Sequence, residues 1–214
     1  MHRSTMVLLC IVYAASASAQ DIPQVLSCAG PIAKSATHRS LVKTFGAGAV
    51  SVGKIALGEG ETETGTVLFA SNPKRRLEVR WHDQKKRTGL HAITVRVLDN
   101  TVSTPESHEW RVAGPGTTAR LHLGQPLAEV EAMNGRPFKL TGFEWDYSGT
   151  ATSWNGGRLA RLPGGCNLLV RFEPAPNLPE KVQNDVAGDK EFASNAAKMR
   201  AAKPVIYEIG LYWD

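Results

Sequence analysis

Cysteine is scarce in this chain, three residues in 214, and no apolar run exceeds about ten residues. The longest, Met6–Ala15, is far below the ~20 residues that cross a bilayer, so a spanning helix is not expected. Glycine (20) and proline (12) are too few for a collagen or a low-complexity chain. Charge is modest as well. Lys and Arg total 25 against 20 Asp and Glu, a net +5 that falls short of a dedicated nucleic-acid binder. The chain has no Gly-x-Ser-x-Gly elbow, which leaves a serine hydrolase of that type unsupported. What remains is an ordinary globular composition, 42% hydrophobic and 21% charged. The length suits one large domain or two of about 90 residues.

The N-terminus reads as a secretory signal peptide over residues 1–19. His2 and Arg3 precede the apolar stretch, and Ala17-Ser18-Ala19 is a small-x-small cleavage site ahead of Gln20. Val7-Leu8-Leu9 before Cys10 lacks the small residue of a lipoprotein signal, so the expectation is a soluble periplasmic or secreted protein. Cleavage removes Arg3 and Cys10, leaving 24 basic and 20 acidic residues and two cysteines, Cys28 and Cys166. In an oxidising compartment such a pair is most simply a disulfide. Two buried thiols or a metal site are the alternatives, though no histidine stands at zinc-ligand spacing.

Along the mature chain, Thr37 caps a helix over His38–Thr44, and Gly46 stops it. Strands are predicted over Ala49–Leu57, Gly65–Phe69, Leu77–Trp81 and Ala92–Leu98, with a short one at His108–Val112. In Leu77–Trp81 the alternation sends Glu78 and Arg80 outward. Residues 113–118 read as a linker. A helix from Pro126 to Met133 follows, closed by Asn134-Gly135 and Pro137. Further strands are predicted over Lys139–Tyr147, Thr150–Trp154, Arg158–Leu162 and Asn167–Phe172, with Asn155-Gly156-Gly157 as a hairpin turn. A helix at Ala193–Ala202 precedes a closing strand, Val205–Trp213, whose alternate residues face one side. The expected class is α+β, an antiparallel sheet with short helices packed on one face. Both halves share an order of helix, glycine stop and strands. This suggests two tandem helix-plus-sheet repeats, 20–112 and 119–214.

The motif Gly124-x-x-Leu127-x-x-Val130-x-x-x-Asn134-Gly135-x-Pro137, followed by Trp145-x-Tyr147, resembles the repeat of BamE/SmpA-like small envelope proteins. Similar repeats occur in tandem in β-lactamase-inhibitory proteins. The wider stretch Asn134–Trp154 looks like a group of uncharacterised exported bacterial proteins. The resemblance implies short helices on an antiparallel sheet and a binding role, with no catalytic residue among the motif positions. This chain lacks their lipobox and is roughly twice as long as the short lipoproteins.

Trp145, Asp146 and Tyr147, with Trp154 nearby, form the leading candidate for partner binding, since Trp and Tyr give large contact area at low entropy cost. On a strand, Trp145 and Tyr147 would share one face and could equally pack into the core. Lys74-Arg75-Arg76 and Lys85-Lys86-Arg87 bracket one strand and could meet an anionic envelope surface; solvated turns are the plainer reading. His82, His91 and His108 match no metal-ligand spacing. Gly58–Glu63 carries three carboxylates without EF-hand spacing. Neither a metal nor a cofactor is expected.

The favoured expectation is an exported, non-catalytic binding protein of the envelope, of an inhibitor-like kind, with a protein partner held by sheet-face aromatics. One alternative is an envelope-polymer hydrolase using Glu144 and Asp146, which would lie ~6.6 Å apart on a strand face. Another is a structural protein on anionic surfaces. Expression in a bacterial host is expected to yield a periplasmic protein whose intact mass begins at Gln20; material that retains Met1–Ala19 would refute the leader assignment.

Overall fold

The computed structural model describes residues 24–58, 60–97, 108–116, 120–145 and 147–214. It is an α+β protein built on one six-stranded antiparallel sheet and two three-stranded ones. In the large sheet the order is β10-β12-β5-β4-β3-β2. These strands are β2 (Val50–Gly58), β3 (Glu61–Leu68), β4 (Leu77–Asp83), β5 (Thr88–Arg96), β10 (Asn167–Glu173) and β12 (Val205–Tyr212). Parallel β1 (Val25–Leu26) joins β6 (Arg111–Ala113) and β7 (Arg120–Leu121) in a second sheet. The third sheet is β11 (Glu191–Ala193), β8 (Lys139–Thr141) and β9 (Ala151–Ser153). Four helices accompany them: α1 (His38–Phe45), α2 (Leu127–Asn134), α3 (Glu180–Val186) and α4 (Ala197–Ala201). Among the described residues no helix is long and apolar enough to cross a membrane.

Local chemistry explains the helix ends. Thr37 and Ser40 form a reciprocal capping box at the start of α1. Gly46 and Gly135, both with positive φ, end α1 and α2. On α1, Leu41 and Phe45 are buried. Trp81 Nε1 and His38 Nδ1 both meet the fully buried Thr66 hydroxyl, at 2.9 and 2.8 Å, which ties α1 to the sheet.

Several elements differ from the sequence reading. The polar run Glu61–Thr64 is strand, because its partner Lys54–Gly58 supplies the ladder. Arg158–Leu162 is not a strand but begins as a 3₁₀ turn over Arg158–Ala160. The buried Asn134 side chain accepts from Leu159 N at 3.1 Å and donates to Trp154 O at 3.0 Å, which turns the chain there. The expected Ala193–Ala202 helix divides into β11 and α4, and α3 lies where only polar sequence was noted. In β12 the single-face alternation breaks at a bulge opposite Arg171/Phe172, so Ile206 joins Ile209 and Leu211 in the core. Of the expected 113–118 linker, Ala113 belongs to β6, opposite Arg120, while Thr117 and Thr118 lie outside the described residues.

The halves 20–112 and 119–214 share one sheet: β12 pairs with β5, in register Ile209↔Val95 and Leu211↔Ile93. One face of the large sheet carries Leu77, Val79, Trp81, Val95, Val170 and Phe172 into a continuous core. Phe138, Leu140 and Met199, from the segments beyond that sheet, meet this face, and Phe138 stacks on Phe172 at 5.9 Å.

The opposite face is polar but not solvated as alternation predicts. Glu78 is only 4% exposed. It accepts from Arg76 on Oε1 (3.0 Å) and from Arg96 on Oε2 (2.7 Å). Arg80 pairs with Glu63 at 2.5 Å and Arg171 with Glu208 at 3.5 Å. Ile55 is fully buried on this side, outside the main core. It sits over Gly65, where an added Cβ would come within 2.3 Å of Ile55 Cδ1 and 2.5 Å of Val79 O. This close approach lets β2 arch inward. Arg96 reaches across β4 and β3 to the Ala56 carbonyl at 3.0 Å. β2 is an edge of the sheet, with Val52 and Leu57 exposed on either side of exposed Lys54.

Cys28 and Cys166 are disulfide-bonded and buried, joining the segment after β1 to the start of β10. In the chain-entropy description a loop of this size contributes several kcal/mol. The Cys28→Ser/Cys166→Ser double variant is therefore expected to lose about 2–5 kcal/mol. The readout is a lower urea midpoint, and a midpoint equal to that of the oxidised parent would contradict it.

Candidate functional site

β8 stops at Thr141 because the chain must turn beside α3. A Cβ on Gly142 would lie 2.3 Å from Gly188 O and 2.5 Å from Val186 O. Phe143, 2% exposed, plugs the core, and its backbone exchanges hydrogen bonds with Val186 O and Gly188 N, both at 3.0 Å. The chain then reverses. Ser148 N donates to Trp145 O (2.8 Å), Gly149 N to Gly142 O (2.8 Å) and Thr150 N to Tyr147 O (3.1 Å). The Thr141 hydroxyl also donates to Tyr147 O, and the Ser148 hydroxyl accepts from Glu144 N at 3.2 Å. The result is a turn clamped at both ends.

Trp145 and Tyr147 stand out from that turn, 65% and 74% exposed. The next most exposed large apolar residue among those described, Val52, reaches 48%. The expected Lys139–Tyr147 strand is therefore corrected: it ends at Thr141, and the two rings project from a turn rather than from a sheet face. A recess of about 190 Å³ lies beside them, bounded by Thr141, Gly142, Ser148 and Asp189. Asp146 lies outside the described residues. Glu144 is exposed with φ of 73°, so the strand geometry assumed for a Glu144/Asp146 pair does not arise. Trp154 is half-buried and packs against Phe138, ring centroids 4.9 Å apart, away from an exposed role.

The basic clusters are divided by their contacts. The Arg75 guanidinium lies 4.2 Å over the Phe69 ring and 3.4 Å from Glu109. Arg76 is committed to Glu78. Arg87 is half-buried, and its carbonyl accepts from His38 N at 3.1 Å. Lys74, Lys85 and Lys86 are exposed, the first before β4 and the other two after it. Lys86 stands 3.7 Å from Asp83, whose carboxyl is held below its ordinary pKa by the Lys86 backbone N–H first.

His82 and His91 come together across the β4–β5 pair, ring centroids 4.7 Å apart. Burial, then the charges of Arg80 and His82, lower the His91 pKa. His108 is elsewhere, and burial lowers it to about 4. Among the described residues no group of three or more His, Cys, Asp or Glu is placed to hold a metal ion. Glu61 of the acidic run is exposed, Glu63 is bound to Arg80 and Gln84, and Glu59 lies outside the described residues. Sequence reasoning passed over Arg96 and Arg171. The cue available to it was polar alternation, Thr94 and Arg96 in β5 and Arg171 and Glu173 in β10, which marks a shared face.

No family model, curated protein or solved structure matches the chain.

The Thr141 hydroxyl supports the turn from both sides, accepting from Thr150 N at 3.0 Å as well as donating to Tyr147 O. Thr141→Val is expected to cost about 0.5–1.5 kcal/mol by removing the hydroxyl's bonds to Tyr147 O and Thr150 N, while Thr150 N still donates to Tyr147 O. Amide exchange at Ser148 and Thr150 should quicken in the variant. Exchange and stability equal to the parent would remove the clamp from this account.

Proposed function

We propose that this chain is an exported, non-catalytic binding protein of the bacterial envelope that holds a protein partner through Trp145 and Tyr147. The observation that carries the reading is two large rings left in water on a turn whose backbone is already fixed. Apolar area in water is unfavourable by roughly 25 cal/mol per Å², so covering these rings is a ready source of affinity. A pre-ordered turn gives up little freedom on binding. Trp and Tyr are the side chains most often dominant at interfaces. Export is supported by the leader-like sequence over 1–19 and suits the Cys28–Cys166 disulfide. The binding role is the one the repeat resemblance implies.

The test is capture from envelope extract by the tagged mature protein, with Trp145→Ala and Tyr147→Ala in parallel. A stoichiometric protein partner is expected, with affinity lost by ~30-fold or more in each variant if the rings act as hot spots. Thermal unfolding of both variants should match the parent within about 0.5 kcal/mol, as for exposed positions. A partner retained equally by both variants, or no partner at all, would sink the proposal.

A further inference from the structure

We propose that the concave face of the six-stranded sheet binds a small organic oxyanion, a carboxylate or phosphate ester carrying a short apolar body. The site is a cleft of about 260 Å³ on the face opposite the core. Its floor is made by cross-strand rows that the register defines. Thr94 lies opposite Gly210, and Ala92 opposite Tyr212. Arg96 lies opposite Glu208, and Glu208 opposite Arg171. Small residues at Ala92, Thr94 and Gly210 leave the depression open. Leu57, from the edge strand β2, and Leu169, from the opposite edge β10, line the same cleft. The sheet is thus coiled enough to bring its two edges around one volume.

The charge of the lining selects the ligand. Guanidiniums enter from three strands: Arg80 of β4, Arg96 of β5 and Arg171 of β10. Glu208 is the carboxylate that lines the cleft with them. Glu78 lies beneath, with both oxygens already engaged by Arg76 and Arg96. A guanidinium carries five N–H donors. Arg96 uses Nη2 for Glu78 and Ala56 O, which leaves its Nη1 toward the cleft, while its Nε is shut off from solvent. Arg80 donates to Glu63 through Nε. Both Nη groups of Arg80 and Nη1 of Arg96 are thereby left to the cleft, in a half-buried setting where charge-assisted bonds are strong. An oxyanion supplies the missing acceptors. Leu57, Leu169 and Tyr212 offer apolar wall to the rest of the molecule. The volume falls just below the ~300 Å³ at which pockets for drug-sized ligands begin, so the body is small.

Arg171 is unsuited to a test variant, because its Nε also donates to Ser148 O at 3.4 Å and so touches the aromatic turn. Arg80→Gln removes a cleft donor, and Leu57→Asp sets a negative charge at an exposed wall position without opening the core. The measurement is calorimetric titration of the mature, disulfide-bonded chain with benzoate and with phenyl phosphate. Benzyl alcohol and inorganic phosphate serve as the body without the charge and the charge without the body. One-to-one saturation by benzoate or phenyl phosphate is expected, with both controls about tenfold weaker or worse. Each variant should weaken binding by ~10-fold or more, the scale of one charge-assisted hydrogen bond. The Arg80 guanidinium resonances should move on saturation of the parent. Saturation by one of the two anions alone assigns the head group as carboxylate or phosphate and supports the site. The proposal is overturned if neither anion saturates at tens of millimolar, or if either control binds as tightly. It also falls if Leu57→Asp binds like the parent.

Discussion

Everything in the large sheet depends on the pairing of β12 with β5. The last strand of the chain enters between β5 and β10, so contacts such as Ile209↔Val95 join residues more than a hundred positions apart. Closing a loop of that size costs entropy before any contact rewards it. The reward is concentrated in β12 itself. Ile206, Ile209 and Leu211 are fully buried on the core face, and Glu208 on the other face holds Arg171. Without β12, β10 would have no neighbour in this sheet. The disulfide at Cys166, just ahead of β10, shortens the search by fixing that strand's start to the N-terminal segment. Non-local antiparallel pairing of this kind belongs to slow-folding topologies.

Local signals in the sequence were read well where the backbone answers to its own neighbours. Thr37 marks the start of α1, and the Asn134-Gly135 stop closes α2 where expected. The α+β class follows from the same kind of evidence. Readings that depended on distant partners went differently. Glu78 does alternate onto the face opposite the core, yet Arg76 and Arg96 cover it there, and Arg96 belongs to another strand. The Arg158–Leu162 segment has strand-like composition, but Asn134 bends it. A bulge at Tyr207 of β12, invisible in either strand alone, shifts which residues of β12 face the core. For the candidate site, Trp145 and Tyr147 were legible as a pair of note. Their exposure was not, because it comes from Gly142 meeting the α3 end.

Arg171 joins the two surfaces proposed for binding. Its guanidinium meets Glu208 on the concave face, while its Nε reaches the Ser148 carbonyl of the aromatic turn. Thr150, at the end of that turn, also bridges to Arg171 through the backbone. The turn is therefore braced against the sheet edge as well as against α3. Its rigidity is a property of tertiary packing, not of the turn sequence.

The edge strand β2 carries Val52 and Leu57 into solvent with its outer hydrogen-bonding groups unopposed by another strand. Such an edge invites a second copy to extend the sheet. Lys54 sits at the middle of Val50–Gly58. A symmetric antiparallel addition centred there would oppose this ammonium to its own duplicate, and like charges facing across strands are unfavourable. The inward arch of β2 over Gly65 also spoils the flat template that stacking needs. One lysine and one bend thus guard the molecule against growing into a ribbon at high concentration, while leaving its apolar edge positions free to remain as they are.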